Sequence, residues 1–261
     1  MNAPRFLGLD LAWSAANPSG LAALDGEGTL FALRADLRGD DQILDWVRAH
    51  LGTGGGAIAI DMPTIVTNRS GRRCCEAELA RDFARHHAGP YPANLARFPD
   101  GGRARALLDR LRADGVVETL EIAPHDRRTV AFEAFPHPAA VRLFGLERVI
   151  PYKKKRRAWP AVLDAWARYR SLLGTLRDAD PPLCIPAELL PARLPDSSKY
   201  KAWDDKIDAV MCAYVASFVW RHGTASGRVV VYGDMDGGHI VVPACAAVAR
   251  EAAASRVHLV P

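Results

Sequence analysis

The first 61 residues contain three short apolar segments separated only by turns, then an amphipathic segment and a fourth apolar segment. Residues 5–13, 21–24 and 29–33 predict three strands, with Asn-Pro-Ser-Gly and Asp-Gly-Glu-Gly turns between them. Residues 40–52 then predict a helix that ends at a glycine, and residues 57–61 predict a fourth strand. Strands joined by tight turns are antiparallel, whereas a strand–helix–strand crossover is parallel. This order therefore predicts a mixed sheet.

The rest of the chain continues with helical spacing and further short strands. The predicted elements are helices at 76–88, 102–113, 137–144, 158–176 and 200–220, a fifth strand at 129–135, and a terminal hairpin formed by 229–232 and 239–242. We expect an α/β fold with a mixed five-stranded sheet flanked by helices, carrying helical insertions and a C-terminal hairpin. We expect one domain that spans residues 1–261.

Composition sets broad limits on the class of protein. With 49% hydrophobic and 25% charged residues, the chain is typical of a globular protein with a large core. The five cysteines are an odd number without a Cys-x-x-Cys pair, which favours a reducing compartment. No continuous apolar run suits a signal peptide or a membrane span, so we expect a cytoplasmic protein without a membrane partner. A net charge of +4 permits a phosphate-bearing partner without requiring one.

Four aspartates stand where an ionised carboxylate needs a partner. Asp10 and Asp61 lie at or near the ends of apolar strands, and Asp205 and Asp208 are three residues apart on one face of the last helix. A buried carboxylate is costly unless it is paired or bound to a cation. A site made of carboxylate oxygens suits Mg²⁺ or Mn²⁺ better than zinc. We therefore predict a divalent-metal site, with Glu133 of the fifth strand as a further ligand or an outer base.

Each acid also has an alternative interpretation without a metal. An aspartate at the end of a strand can be a turn residue, and Asp204 with Asp205 can be acids of the first turn of a helix. Four such residues in compatible places favour the metal site.

The basic and aromatic residues allow similar pairs of interpretations. Lys153, Lys154, Lys155 and Arg156 begin the densest basic run, which could bind a nucleic-acid backbone or be a solvated loop. Among the arginines between residues 69 and 85, which include Arg73, a position on helix surfaces is favoured over a second phosphate-binding edge. The tryptophans Trp13, Trp46, Trp166 and Trp203 are interpreted as core or rim packing rather than as platforms for bases.

Several short motifs occur in a specific order: Gly8-x-Asp10-x-Ala12-Trp13, Ala59-Ile60-Asp61-x-Pro63, Tyr152-Lys-Lys-Lys-Arg156, Asp205-x-x-Asp208-Ala209, and Gly233-Asp234. Together they resemble a bacterial family of uncharacterised, predicted ribonuclease H-like nucleases over nearly the whole chain. The resemblance implies a ribonuclease H-like fold and metal-dependent hydrolysis of DNA or RNA. The acidic pair on the late helix is also similar to that of Holliday-junction resolvases, in which it joins acids on the first and fourth strands. The fourth-strand acid is a glutamate in resolvases and Asp61 here.

Two other classes of function are also compatible with the sequence. An actin-like ATPase or sugar kinase also has an acid on its first strand, but normally uses two such domains around a nucleotide, for which 261 residues leave little room. A non-catalytic nucleic-acid or protein binding module could keep the fold with a purely structural acidic site.

Overall fold

In the computed structural model, which describes residues 3–194, 197 and 200–244, a six-stranded mixed sheet lies between two sets of helices. The strands are β1 (Arg5–Asp10), β2 (Ser19–Leu24), β3 (Leu30–Leu37), β4 (Gly56–Ile60), β5 (Val116–Glu118) and β6 (Thr129–Glu133). Their order is β3-β2-β1-β4-β6-β5; β1, β2 and β3 pair antiparallel, and the pairs β1–β4, β4–β6 and β6–β5 are parallel.

The predicted α/β class and mixed sheet are confirmed, but the sheet has six strands and not five. The extra strand, β5, is three residues long at the edge of the sheet. A segment that short shows no alternation of apolar and polar residues that could have predicted it.

The predicted helices are present, with ends that differ by a few residues. They are α1 (Asp40–His50), α2 (Cys74–Phe83), α3 (Arg103–Leu111), α4 (Pro136–Leu143), α5 (Trp159–Thr175) and α6 (Tyr200–His222). The predicted terminal hairpin consists of β7 (Val229–Asp234) and β8 (Gly238–Pro243). None of the described helices has the length and apolar character that crossing a membrane requires.

Alternation along the strands separates two cores. Leu7 and Leu9 of β1 point to the core that includes α1 and α3. Phe6 of β1 and Ala59 of β4 point to the opposite core, which includes residues of α2, α4, α5 and α6. Successive side chains of a strand face opposite sides. Asp10 is four residues after Phe6, so its side chain lies on the same side of the sheet as Phe6 and faces α6.

Helix α6 lies against the backbone of β1 and β2. A Cβ atom on Gly8 would lie 2.0 Å from the carbonyl oxygen of Ala209, and one on Gly20 would lie 2.1 Å from that of Asp205. These two glycines therefore permit an approach that any larger residue would prevent. Every position of α6 from 207 to 219 is buried, instead of only the predicted apolar stripe, because α6 shares its core with several other helices.

The four cysteines within the described residues are free thiols. They are Cys74, Cys75, Cys184 and Cys212. Cys245 lies outside the described residues.

We predict that Gly8→Ala lowers the free energy of unfolding by about 2 kcal/mol or more, because the new methyl group meets backbone atoms of α6 that cannot rotate away. The matched control is Gly174→Ala on the exposed side of α5, where the added Cβ meets only the tip of Arg170. That change should stabilise the protein by up to about 1 kcal/mol through helix propensity. Urea denaturation measures both. Equal stabilities of the two variants would contradict the close packing of α6 on β1.

Candidate active site

A pocket of about 680 Å³ opens at the carboxyl ends of the parallel strands β1, β4 and β6. Asp10, Asp61 and Asp205 contribute acidic side chains to its lining, and loop residues between 87 and 98 contribute part of its wall. In open α/β sheets, ligands commonly bind outside the carboxyl ends of the strands. A pocket of this volume has the size of a small-molecule site.

Asp10 and Asp61 are neighbours on adjacent strands. The amide of Asp61 donates a 2.8 Å hydrogen bond to the carbonyl oxygen of Leu9, and both aspartate side chains line the pocket. Burial, together with the charges of Asp208 and Asp61, raises the pKa of Asp10 well above its ordinary value. Burial and the charge of Asp208 raise the pKa of Asp61 to about 8. Within the described ranges, neither carboxylate accepts a hydrogen bond or forms an ion pair. The nearby charge of Lys153 lowers both pKa values but offsets the burial and the repulsion only in part.

Asp208 on α6 is compensated inside the protein. It is fully buried, accepts a hydrogen bond from the hydroxyl of Tyr152, and lies 2.7 Å from the ammonium of Lys153. Burial alone would raise the pKa of Asp208, but Lys153 and these hydrogen bonds hold it below its ordinary value. The Nε2 atom of His137 lies 3.1 Å from the Tyr152 hydroxyl. Since that hydroxyl hydrogen is donated to Asp208, His137 is the donor to Tyr152. Asp208 therefore lies behind the pocket as an ionised anchor for Lys153.

Asp205 combines one paired oxygen with one unpaired oxygen. Its Oδ1 atom pairs with Lys201, whose side chain is 74% exposed, and its buried Oδ2 atom has no hydrogen-bond partner among the described residues. An exposed lysine leaves such a pair at little cost in free energy. Asp204, which precedes it, is buried with one oxygen 3.8 Å from Lys153, and burial raises the pKa of Asp204 to about 7.

Carboxylate oxygens are suitable ligands for a divalent cation. In this structure, however, the carboxylates are too far apart to bind one ion together. Asp10, Asp61 and Asp205 bring oxygens to one pocket, and one of these, Oδ2 of Asp205, is buried without a partner. Across the described part of the chain, no three His, Cys, Asp or Glu side chains lie close enough to hold an ion in their present positions. Binding would therefore require these carboxylates to rotate toward one another and Lys201 to leave Asp205.

Glu133 also lines the pocket, but both of its carboxylate oxygens are occupied. Arg73 donates to them over 2.8 and 2.6 Å, and the amide of Thr64 donates over 3.0 Å. Glu133 is paired with Ile60 in the β4–β6 register, and Ile60 packs in the core of α1 and α3. Glu133 therefore lies beside the end of β4, close enough for its charge to contribute to the raised pKa of Asp61.

The interpretation of Arg73 as a helix-surface residue is wrong. Arg73 is 2% exposed and bonds Glu76 over 2.9 Å in addition to Glu133. Glu76 in turn accepts hydrogen bonds of 3.0 and 3.1 Å from the amide of Ala93, and Arg73 donates to the carbonyl of Ile65. This buried network ties two loops of the pocket wall to the end of β6.

The basic run divides into residues with different surroundings. Lys153 faces inward to Asp208, whereas Lys155 lines the pocket with its ammonium 5.6 Å from the centre of the Tyr91 ring. Lys154 and Arg156 are exposed. Of the four, Lys153 and Lys155 therefore reach the pocket.

Sequence reasoning missed several residues of the site: His137, Tyr152 as a hydrogen-bond donor, Lys201 and the burial of Asp204. The spacing of Lys201 and Asp205, four residues apart on one helix, was a usable signal for an ion pair. His137 and Tyr152 carried no local signal, because their partners are distant in the sequence.

Comparison with known proteins identifies one family. A family described as a protein of unknown function (DUF429) matches residues 8–235, which include every acidic residue of the site. No curated protein and no solved structure matches the chain.

We predict that Asp61→Asn stabilises the metal-free protein at pH 8 by on the order of 2 kcal/mol, and that this gain disappears near pH 4. The folded-state pKa of about 8 exceeds the ordinary value of 3.8. Between these values the folded state binds more protons, so the unfolding free energy falls as the pH rises. The neutral amide removes that loss. Urea denaturation in EDTA from pH 4 to 8 measures it, with Asp164→Asn on the exposed side of α5 as the control. A gain that is independent of pH would contradict the raised pKa.

We predict that Lys153→Met lowers the free energy of unfolding at pH 7 by about 3 kcal/mol, because the buried charge of Asp208 loses its ammonium partner. Lys154→Met removes the same charge from an exposed neighbour and should change stability by less than about 0.5 kcal/mol. Thermal and urea unfolding of the two variants test the contrast. If both behave like the parent, Lys153 is a solvated surface lysine.

Proposed function

We propose that this chain, which belongs to the DUF429 family, is a nuclease that hydrolyses phosphodiester bonds of DNA or RNA with Mg²⁺ or Mn²⁺. One observation carries the proposal: Asp10 and Asp61 lie side by side at one pocket, with raised pKa values and no hydrogen-bond donor within the described residues. Purely structural carboxylates would have partners, as Asp208 and Glu133 have. A bound cation would make the close approach of the two charges favourable.

In this proposal, Asp10, Asp61 and Asp205 hold the cation. A divalent ion at such a site activates a water molecule and stabilises charge on the phosphate. Lys153 is fixed by Asp208 yet still lines the pocket, so its ammonium can contact a phosphate oxygen of the substrate. Glu133 orients the pocket wall through Arg73, because neither of its oxygens is available as a ligand.

The family resemblance supports the same conclusion. Ribonuclease H-like nucleases and resolvases have acids on the first strand, the fourth strand and a late helix. Here Asp10 ends β1, Asp61 follows β4, and Asp205 and Asp208 lie on α6. The mixed sheet with its antiparallel meander also agrees with that relationship.

A non-catalytic nucleic-acid binding module is the second candidate. It is favoured by the ion pairs of Lys153 with Asp208 and of Lys201 with Asp205, which already neutralise two of the acids. In such a module the lysines would be permanent partners of the acids, and a divalent cation would neither stabilise the protein nor support cleavage.

We predict that Asp10→Asn abolishes Mn²⁺- or Mg²⁺-dependent cleavage while the fold is kept, because the amide retains the shape of the side chain but not its charge. Without metal, the melting temperature of the variant should equal or exceed that of the parent, since one source of repulsion is removed. The increase in melting temperature caused by Mn²⁺ should shrink. Cleavage of labelled DNA and RNA, with melting curves at several Mn²⁺ concentrations, measures these effects.

The control for this experiment is Asp164→Asn, an equal charge change at an exposed position of α5, which should retain parental cleavage and metal response. A parent protein that shows neither cleavage nor stabilisation by Mn²⁺ would contradict the nuclease proposal and favour the binding module.

A further inference from the structure

Two aromatic side chains are unusually exposed at the rim of the acidic pocket. Trp13 is 56% exposed and Tyr91 is 68% exposed, and both line the pocket. Trp46 and Trp166 are buried, so the interpretation of the tryptophans as packing residues describes those two well. Trp13 lies at the rim, as that interpretation allows, but most of its surface is left open beside the acids.

Trp13 is held in place although it is exposed. Its ring packs against the buried ring of Phe98, with 5.2 Å between the ring centroids and an interplanar angle of 56°. The backbone of the preceding residue, Ala12, is bonded on both sides: its amide donates to the hydroxyl of Ser19, and Arg103 donates to its carbonyl. The indole is therefore presented to the pocket by an anchored segment.

The segment that contains Tyr91 is attached to the buried network of Arg73, Glu76 and Glu133. Two residues later, the amide of Ala93 is fixed by Glu76, which pairs with Arg73. The ammonium of Lys155 lies 5.6 Å from the centre of the Tyr91 ring. Tyr91 and Lys155 thus offer an aromatic face and a positive charge at the same place.

The chemistry of this rim complements a nucleic-acid strand. Lys153, Lys155 and Lys201 line the pocket around the aspartates, and ammonium groups bind backbone phosphates. Exposed aromatic rings stack on bases of any sequence, because every base has a π-face. A ligand with anionic groups and flat rings could contact the ammonium groups and the aromatic rings at the same time.

The need for unstacked bases favours a single strand over a duplex. In a duplex, the faces of internal bases are covered by their neighbours, and exposing one costs a few kcal/mol. A single strand presents its bases without that full cost, and stacking on an aromatic side chain then contributes favourably. The pocket volume of about 680 Å³ is that of a site for a small ligand. It therefore suits part of a single strand better than a double helix.

We propose that the pocket is selective for single-stranded nucleic acid, with bases stacked on Trp13 and Tyr91 and the backbone at Lys155. This inference rests on the proposed nuclease function for the nature of its ligand and adds the form of the substrate. The aromatic pair sets the preference for strand over duplex, whereas the aspartates perform the proposed chemistry.

The test is binding of fluorescein-labelled DNA and RNA of about 12 nucleotides, single-stranded and as duplexes, to the Asp10→Asn protein in Mg²⁺ buffer. Fluorescence anisotropy should give an affinity for the single strands at least about tenfold higher than for the duplexes. Adding Trp13→Ala or Tyr91→Ala should weaken single-strand binding by about tenfold each and leave the weak duplex binding nearly unchanged. Trp13→Phe should retain most of the affinity, because it keeps an aromatic face.

The matched control is Phe31→Ala, which removes another exposed aromatic ring, located on β3 and absent from the pocket lining. Its single-strand affinity should equal that of the Asp10→Asn parent. Equal affinities for strands and duplexes, or equal behaviour of Trp13→Ala, Tyr91→Ala and Phe31→Ala, would overturn the inference even if the protein is a nuclease. Selective binding that depends on Trp13, together with a wild-type protein that cleaves neither DNA nor RNA, would uphold the inference and refute the nuclease proposal.

Discussion

Helix α6 lies closer to the backbone of β1 and β2 than a sheet residue with a Cβ atom would permit. Gly8 and Gly20 remove the side chains that would separate them, so the carbonyls of Ala209 and Asp205 occupy that space. Asp10 is two residues beyond Gly8 on the same face of β1. This contact therefore brings the acids of the helix near those of the strand ends, and the pocket depends on it.

The negative charges of the acids are the second constraint on this region, and only some of these acids are paired with a basic side chain. Asp208 and Glu133 are matched by Lys153 and Arg73 inside the protein, and these pairs also anchor the surroundings of the pocket. Asp10 and Asp61 face the pocket with raised pKa values and lack such partners among the described residues. Repulsion left at the surface of a pocket is a cost in stability that a cationic ligand can offset.

Sequence reasoning succeeded where the information is local. Apolar spacing gave α6 and the strands ending near Asp10 and Asp61, and the direction of parallel strands then placed those ends together. It failed where a side chain chooses a distant partner. Arg73 is buried against Glu133, 60 residues away, and Tyr152 reaches Asp208, 56 residues away. No spacing rule distinguishes such an arginine from one on a helix surface. The inward position of Lys153 within an exposed basic run has the same origin.

The carboxylates of Asp10 and Asp61 are the proposed site for a divalent cation. The most direct measurement is a crystal structure of the protein grown or soaked with Mn²⁺, with anomalous diffraction data collected at the manganese absorption edge. We expect an anomalous peak in the pocket, bonded to oxygens of Asp10 and Asp61, with Asp205 released from Lys201. The absence of such a peak in crystals at millimolar Mn²⁺, with Lys201 still paired to Asp205, would contradict the proposed metal site.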